Sequence, residues 1–339
     1  MSAFRPIARR MATALPSVAG VIVVTFLLTR VLPGDTAAYF AGPAATPSAI
    51  AEIRAKLGLD QPLPVQFLHY IADLVHGNFG SSLTTGQPVL ADMLARLPAS
   101  AELIFIALFL AVTIAVPLGI LAALHERSWI DHLCRVVATA GVSLPVFFTG
   151  LLLVYVFYYV LGWSPSPIGR IDVFATTPPT ITGFFLFDTL IAGDGAAFRS
   201  TAAQLILPAL TLAIFALAPI ARMTRGAMLS VLGSDFVRTA RAAGLSPYTV
   251  VMAYAFRNAV LPVITTLGMV FSFLLGASVL VEKVYAWPGI GSYAVEALIV
   301  SDYAPVQGFV LVMAVLYLLL NLGIDIVYGL IDPRIRLEG

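Results

Sequence analysis

Apolar positions in this chain gather into six long uncharged stretches separated by polar segments. They lie between Arg10 and Arg30, between Glu102 and His125, from Arg135 past Tyr159, between Arg199 and Arg222, between Arg257 and Glu282, and between Asp302 and Asp325. Each is close to the ~20 residues a helix needs to cross a ~30 Å hydrocarbon layer. A segment in lipid must satisfy its own backbone N–H and C=O groups, so every run predicts a helix. The expected fold class is an all-α membrane protein with six transmembrane helices. Pro117, Pro145, Pro208, Pro219 and Pro262 fall within or at the ends of the runs, which membrane helices tolerate. The first run follows Arg9–Arg10 and exceeds the roughly 7–15 apolar residues of a signal-peptide core, so a retained span is expected.

The polar segments carry their own pattern. Ser234–Pro262 predicts two short helices joined at a glycine. Ser234 or Asp235 is placed to cap the first, and Asp235 suits the positive end of its dipole. Gly244 ends it, because a left-handed conformation costs other residues about 1 kcal/mol or more. Ser246 and Pro247 restart a helix as cap and first-turn proline. Arg238 and Arg241 share one side, leaving Phe236, Val237 and Ala240 for another surface. Between the first two runs, Pro47–Leu57 predicts a helix stopped by Gly58, Pro64–Val75 an amphipathic helix against the membrane, and Gly77–Thr85 a loop. In Gly162–Arg199 the apolar piece ITGFFLFDTLI is too short to span and predicts an interfacial or re-entrant helix.

Basic residues set the orientation. With both termini inside, twelve of the 19 Lys and Arg residues are cytoplasmic, among them Arg9, Arg10, Arg127, Arg135, Arg238 and Arg241. The longer outer segments hold the other seven: Arg30, Arg54, Lys56, Arg96, Arg170, Arg199 and Lys283. The positive-inside rule then places Ser234–Pro262 in the cytoplasm.

Composition narrows the function classes. A chain that is 60% hydrophobic and 11% charged is an integral membrane protein, not a soluble globule. A net charge of +1 argues against nucleic acid, which requires clustered positive charge. The single cysteine, Cys134, excludes an intrachain disulfide and any cysteine metal cluster. His125 and His132 stand seven apart beside Glu126 and Asp131, where solvated turn residues are a better reading than a metal site; His69 and His76 read the same way. No Ser/His/Asp arrangement for nucleophilic catalysis stands out. The only lysines, Lys56 after Ala55 and Lys283 after Glu282, form no P-loop, so ATP hydrolysis would belong to another polypeptide. The span centres are free of charge, which disfavours a stand-alone proton-coupled carrier. Ser143, Thr211, Thr265, Ser272 and Asn321 are the polar midspan groups, equally suited to helix–helix hydrogen bonds and to lining a path.

The segment DFVRTARAAGLSPYTVVMAYAFRNAVLPVITTLG resembles the coupling-loop signature of bacterial ABC importer permeases, in the dipeptide/oligopeptide/nickel branch. Arg238-Thr239-Ala240 stands where the general pattern has Glu-Ala-Ala, and Leu261–Pro262 falls five residues later than that pattern has it; RTAR, GL and RNA-LP are this branch's form. Leu32-Pro33-Gly34-Asp35, Gly58-Leu59-Asp60-Gln61-Pro62, Leu207-Pro208-Ala209-Leu210-Thr211-Leu212, Glu282–Gly289 (EKVYAWPG) and Asp332-Pro333-Arg334-Ile335-Arg336 match further family elements in order. Thr36 replaces the usual proline after LPGD. The long outer segment resembles that of the first of the two permeases in such systems.

The resemblance implies a type I ABC importer permease of the bacterial inner membrane that takes up di- or oligopeptides, or alternatively a nickel chelate, glutathione or opine. It implies a second homologous permease, two cytoplasmic ATPases that bind ATP and Mg, and an extracytoplasmic binding protein that contacts Pro33–Pro98 and Glu282–Asp302. The chain itself would hold no cofactor. The organisation implied is an N-terminal segment and first span at 1–32, an outer segment at 33–97, a transmembrane domain at 98–331 and a tail at 332–339. The coupling residues carried over are Asp235, Phe236, Val237, Arg238, Thr239, Ala240, Arg241, Ala243, Gly244 and Leu245. Phe236 and Val237 would meet the ATPase through apolar contact, and Arg238 and Arg241 would meet its acids.

Overall fold

The computed structural model describes residues 16–27, 37, 42, 45–56, 58–141 and 143–331. Among these the chain is helical, with one isolated bridge between Ser81 and Pro88. Twelve helices are named here in order: α1 Pro16–Leu27, α2 Pro47–Lys56, α3 Leu63–Val75, α4 Val89–Leu124, α5 Trp129–Ala140, α6 Val146–Leu153, α7 Phe185–Ile191, α8 Gly195–Leu232, α9 Asp235–Ala242, α10 Pro247–Val284, α11 Ile290–Ile299 and α12 Tyr303–Ile331. Four of the described helices are long and apolar enough to cross a membrane: α4, α8, α10 and the Tyr303–Ile324 part of α12. The motifs at Leu32–Asp35 and Asp332–Arg336, with Arg9–Arg10, lie outside the described residues.

The third apolar run is not the single helix its composition predicts. It divides into α5 and α6, and α6 continues as a π-helix over Val154–Val160. Pro145 starts α6, where its ring and missing N–H are tolerated, and it disfavours helix in the residue before it. At the other side of the break Gly141 lies against α8: a Cβ there would sit 2.6 Å from the Ile214 carbonyl oxygen.

The contacts divide the chain into two compact units. One contains residues 1–98 and 289–319. In it α2 ends at Gly58, whose φ of +64° gives the helix its left-handed exit, as the glycine predicts. Phe26 of α1 packs on Phe67 and Tyr70 of α3, with ring centroids 5.1 and 5.7 Å apart. The Gly77–Thr85 loop is held by the buried Asp302, whose Oδ2 accepts from Ser82 Oγ (2.8 Å), Leu83 N (2.7 Å) and Thr84 N (3.2 Å). Val89, Met93, Ile290 and Tyr293 form the local core.

The other unit contains residues 99–288 and 320–339. Its central element is α8, 38 residues and therefore about 57 Å long at ~1.5 Å per residue. Of the polar midspan groups, Ser143, Thr265 and Ser272 donate back to carbonyls four residues earlier. Thr211 also reaches across, with its hydroxyl 2.9 Å from that of Tyr285, which donates in turn to Gly150 O (3.2 Å). The WPG element is anchored by Trp287, fully buried, whose indole N–H donates to Ala99 O (2.9 Å).

A buried polar cluster shapes the segment before α8. Glu102 takes Arg170 Nη2 on one oxygen (2.5 Å) and Leu186 N on the other (2.8 Å), while the Arg170 guanidinium lies 3.7 Å from the Phe185 ring centroid. Asp188 gathers the backbone N–H groups of Ile181, Thr182 and Gly183 and the Thr182 hydroxyl. Burial pushes its carboxyl up, but these donors together hold it below the usual range. The apolar piece predicted here forms α7, only seven residues long.

Candidate coupling site

The site begins where α8 ends. Leu232, Gly233 and Ser234 carry the chain out, with Ser234 in extended backbone at the N-cap of α9. Its side chain does not cap the helix as its position predicts. The hydroxyl donates back to Val231 O (2.5 Å), and Asp235 does not cap either but pairs with Arg238. The exit follows the glycine reading. Gly244 has φ +75°, Gly244 N donates to Arg241 O (3.0 Å) and Leu245 N to Ala240 O (3.4 Å), the two bonds of a Schellman stop. A Cβ on Gly244 would meet nothing within 4 Å, so backbone conformation alone calls for glycine here. Ser246 Oγ then accepts from Thr249 N (3.2 Å) and Pro247 opens α10.

Within α9 the two faces separate cleanly. Val237 and Ala240, three apart, are buried against Val250, with Val231 and Leu232 beside them. This corrects the expectation that Val237 and Ala240 serve an external partner: their spacing makes them the inner stripe of an amphipathic turn, consumed by the chain's own packing. Phe236 stays 45% exposed, and Asp235, Arg238, Thr239, Arg241, Ala243, Gly244 and Leu245 are exposed with it. Arg238 Nη2 donates to Asp235 Oδ1 (2.7 Å) along the outer face, and Arg241 stands in the last turn, where a cation complements the helix dipole.

Two features beneath the helix carry no sequence signal of their own. The base of α10 is a π-helix, Val250–Phe256. Its first residue, Val250, packs on α9, and Ala255 near its end is buried with Met228 of α8 and Ala123 of α4. Asn258, two residues beyond it, donates Nδ2 back to Tyr254 O (2.6 Å).

The second feature is a buried ion pair between residues 94 apart. Asp131, 1% exposed, accepts from Arg225 Nε (2.7 Å) and Nη2 (2.8 Å) in a bidentate fork. The turn before α5 presents it: Arg127 adopts φ +61° and donates its N–H to Asp131 Oδ2 (3.2 Å), and Ser128 accepts from Asp131 N (3.4 Å). The Arg225 hydrogen bond holds the Asp131 carboxyl below the usual range, against the upward push of burial, with the Arg127 N–H and Arg135 assisting. His132, next along, has Nδ1 2.8 Å from Arg135 Nη2.

Comparison with known proteins gives consistent matches. Residues 115–337 match the model of the family described as "Binding-protein-dependent transport system inner membrane component", and residues 3–104 match its N-terminal companion. The chain is 46% identical over 322 residues to the "Probable D,D-dipeptide transport system permease protein DdpB" of Escherichia coli K12, covering 95% of this chain and 94% of that one. It is 44% identical over 331 residues to the "Di/tripeptide transport system permease protein DppB" of Pseudomonas aeruginosa UCBPP-PA14, covering 97% and 98%. Among solved structures, a chain of the MetNI methionine ABC transporter has a similar fold, with a TM-score of 0.54 at 16% identity over 71% of this chain and 96% of that one.

Proposed function

The chain belongs to the binding-protein-dependent transport system inner membrane component family, and from that premise we propose how its geometry does the work of a peptide importer. It is a permease subunit of a peptide ABC importer, as its relatives over nearly their whole length are dipeptide and di/tripeptide permeases. Those relatives favour peptides over nickel chelates, glutathione or opines as cargo.

The proposal rests on one observation: α9 is a short helix, stopped at its C-terminus by the Gly244 turn, with its apolar stripe buried on the base of α10 and its charged face open. Such a helix is built to receive force from a separate protein and pass it on to α8 and α10. The partner is a cytoplasmic ATPase carrying ATP and Mg; two of these, a second homologous permease and an extracytoplasmic binding protein complete the assembly. The exposed residues Phe236, Arg238, Thr239, Arg241 and Leu245 make the contact, and Gly244 turns the chain back toward the membrane. In this reading the first and third apolar runs also cross the bilayer, giving six spans with both termini cytoplasmic. The parts are the first span in 1–32, an outer segment at 33–97, the transmembrane domain at 98–331 and a tail at 332–339.

The experiment is reconstitution of the chain with its second permease, ATPases and binding protein in liposomes, followed by uptake of a labelled dipeptide. Uptake that needs both ATP and the binding protein is the expected result. Uptake by this chain alone would instead support a secondary carrier.

A further inference from the structure

We propose that Asp131 is a positioning residue for coupling: through Arg225 it ties the inner end of α8 to the α4–α5 turn, so that a push on α9 moves α4 and α5 together with α8. The inference rests on the reading of α9 as the ATPase contact and adds the route by which its motion leaves the hairpin.

Arg225 lies ten residues before Asp235, on the last turns of the helix that delivers α9. Around it α4 and α8 are in unusually close contact. A Cβ on Gly119 of α4 would fall 2.6 Å from Thr224 Cβ and 2.8 Å from Ala221 O of α8. One turn further on, Met228 is fully buried with Ala123 of α4 and with Ala255 and Ala259 of α10. The inner end of α8 is thus gripped on one side by α4 and the Asp131 turn, and on the other by the base of α10.

A buried ion pair is poor evidence for stability, because desolvation offsets most of the Coulomb attraction. What it does well is specify one geometry, since a bidentate fork tolerates little displacement. Here the turn adopts a left-handed Arg127, a conformation uncommon outside glycine, and the same conformation aims the Arg127 N–H at Asp131. A clamp at this point keeps α8 from bending independently when α9 is displaced.

The test uses the full transporter in liposomes with Asp131→Asn, which keeps shape but loses charge, and Arg225→Lys, which keeps charge but loses the fork. Dipeptide imported per ATP hydrolysed should fall about tenfold or more in Asp131→Asn and by a smaller factor in Arg225→Lys, with assembly and ATP hydrolysis retained. An unchanged ratio in both, or import and hydrolysis falling in step with lost assembly in both, overturns the clamp. A second readout needs no cargo: a spin label at Leu118→Cys on α4, in a Cys134→Ala background. Its response to ATP should be present in the parent and lost in Asp131→Asn. A label that responds equally in both, or does not respond in the parent, contradicts the proposal. A parent complex that hydrolyses ATP yet imports no dipeptide contradicts the cargo reading instead.

Discussion

Two Asp–Arg pairs, one on α9 and one joining α8 to the first turn of α5, each have a 2.7 Å contact and differ in sequence separation and burial. Asp235 and Arg238 are three residues apart on one helix face, with side chains 93% and 75% exposed. Asp131 and Arg225 are 94 residues apart and join two elements, with the carboxylate 1% exposed. Water screens the first pair, so it contributes little beyond local helix stability. In the second the carboxylate is buried while Arg225 stays 24% exposed, and the bidentate fork constrains the elements that carry it. Equal distances therefore say little: what surrounds a pair decides whether it decorates a surface or holds a joint.

The largest expected effect comes from cutting the buried pair. Arg225→Ala removes the bidentate partner of the buried Asp131 carboxylate and leaves it only the Arg127 N–H and Arg135, 3.7 Å away; thermal unfolding should show a loss of about 3 kcal/mol, the low end for a broken buried pair. Next is Gly244→Asp, which has room for its side chain but must hold a left-handed backbone, at about 1–2 kcal/mol. Uptake should be abolished while the protein remains in the membrane; normal uptake in this variant would remove the docking role from the Gly244 turn. Val237→Ala removes buried methyl groups between α9 and Val250 and should cost about 1.5 kcal/mol, read as a lower melting temperature.

Acid sharpens the contrast in a different way. The folded-state carboxyl of Asp131 is depressed, chiefly by its bond to Arg225. Its stabilising contribution is therefore complete above the unfolded carboxylate value of about 3.9 and is lost as pH falls through the lower folded value. The acid loss below about pH 4 in melting curves should be smaller in Asp131→Asn than in the parent, the remainder coming from other depressed carboxylates such as Asp188. The smallest effect is expected at the exposed pair: Asp235→Asn should change stability by no more than about 0.5 kcal/mol.

The same comparison explains what could be read from residue order. The hairpin was legible because its determinants are local: Gly244 for the left-handed exit, Ser246–Pro247 for the restart, and the spacing of Arg238 and Arg241. Helices at Pro47–Lys56 and Leu63–Val75 were legible for the same reason. Four of the six apolar runs are long continuous helices, but the third divides into α5 and α6, with Pro145 starting the second; hydropathy alone does not separate such a break from a proline tolerated within a span. The Asp131 clamp, the Glu102–Arg170 pair and the grip of Asp302 on the Ser82 loop all join residues tens to hundreds of positions apart. Residue order alone names none of these partners; the fold supplies them. Val237 is ambiguous in the sequence, because an apolar residue on a short exposed helix suits an external partner and an internal neighbour equally well; the fold gives it the internal one.

Photo-cross-linking from α9 in the assembled transporter tests the proposed ATPase contact most directly. Phe236, which is aromatic and 45% exposed, accepts a benzoyl-phenylalanine with little change in shape. The account predicts an adduct with the ATPase subunit from position 236, in a complex that still imports dipeptide. Import at the parental rate with adducts to lipid alone would contradict it.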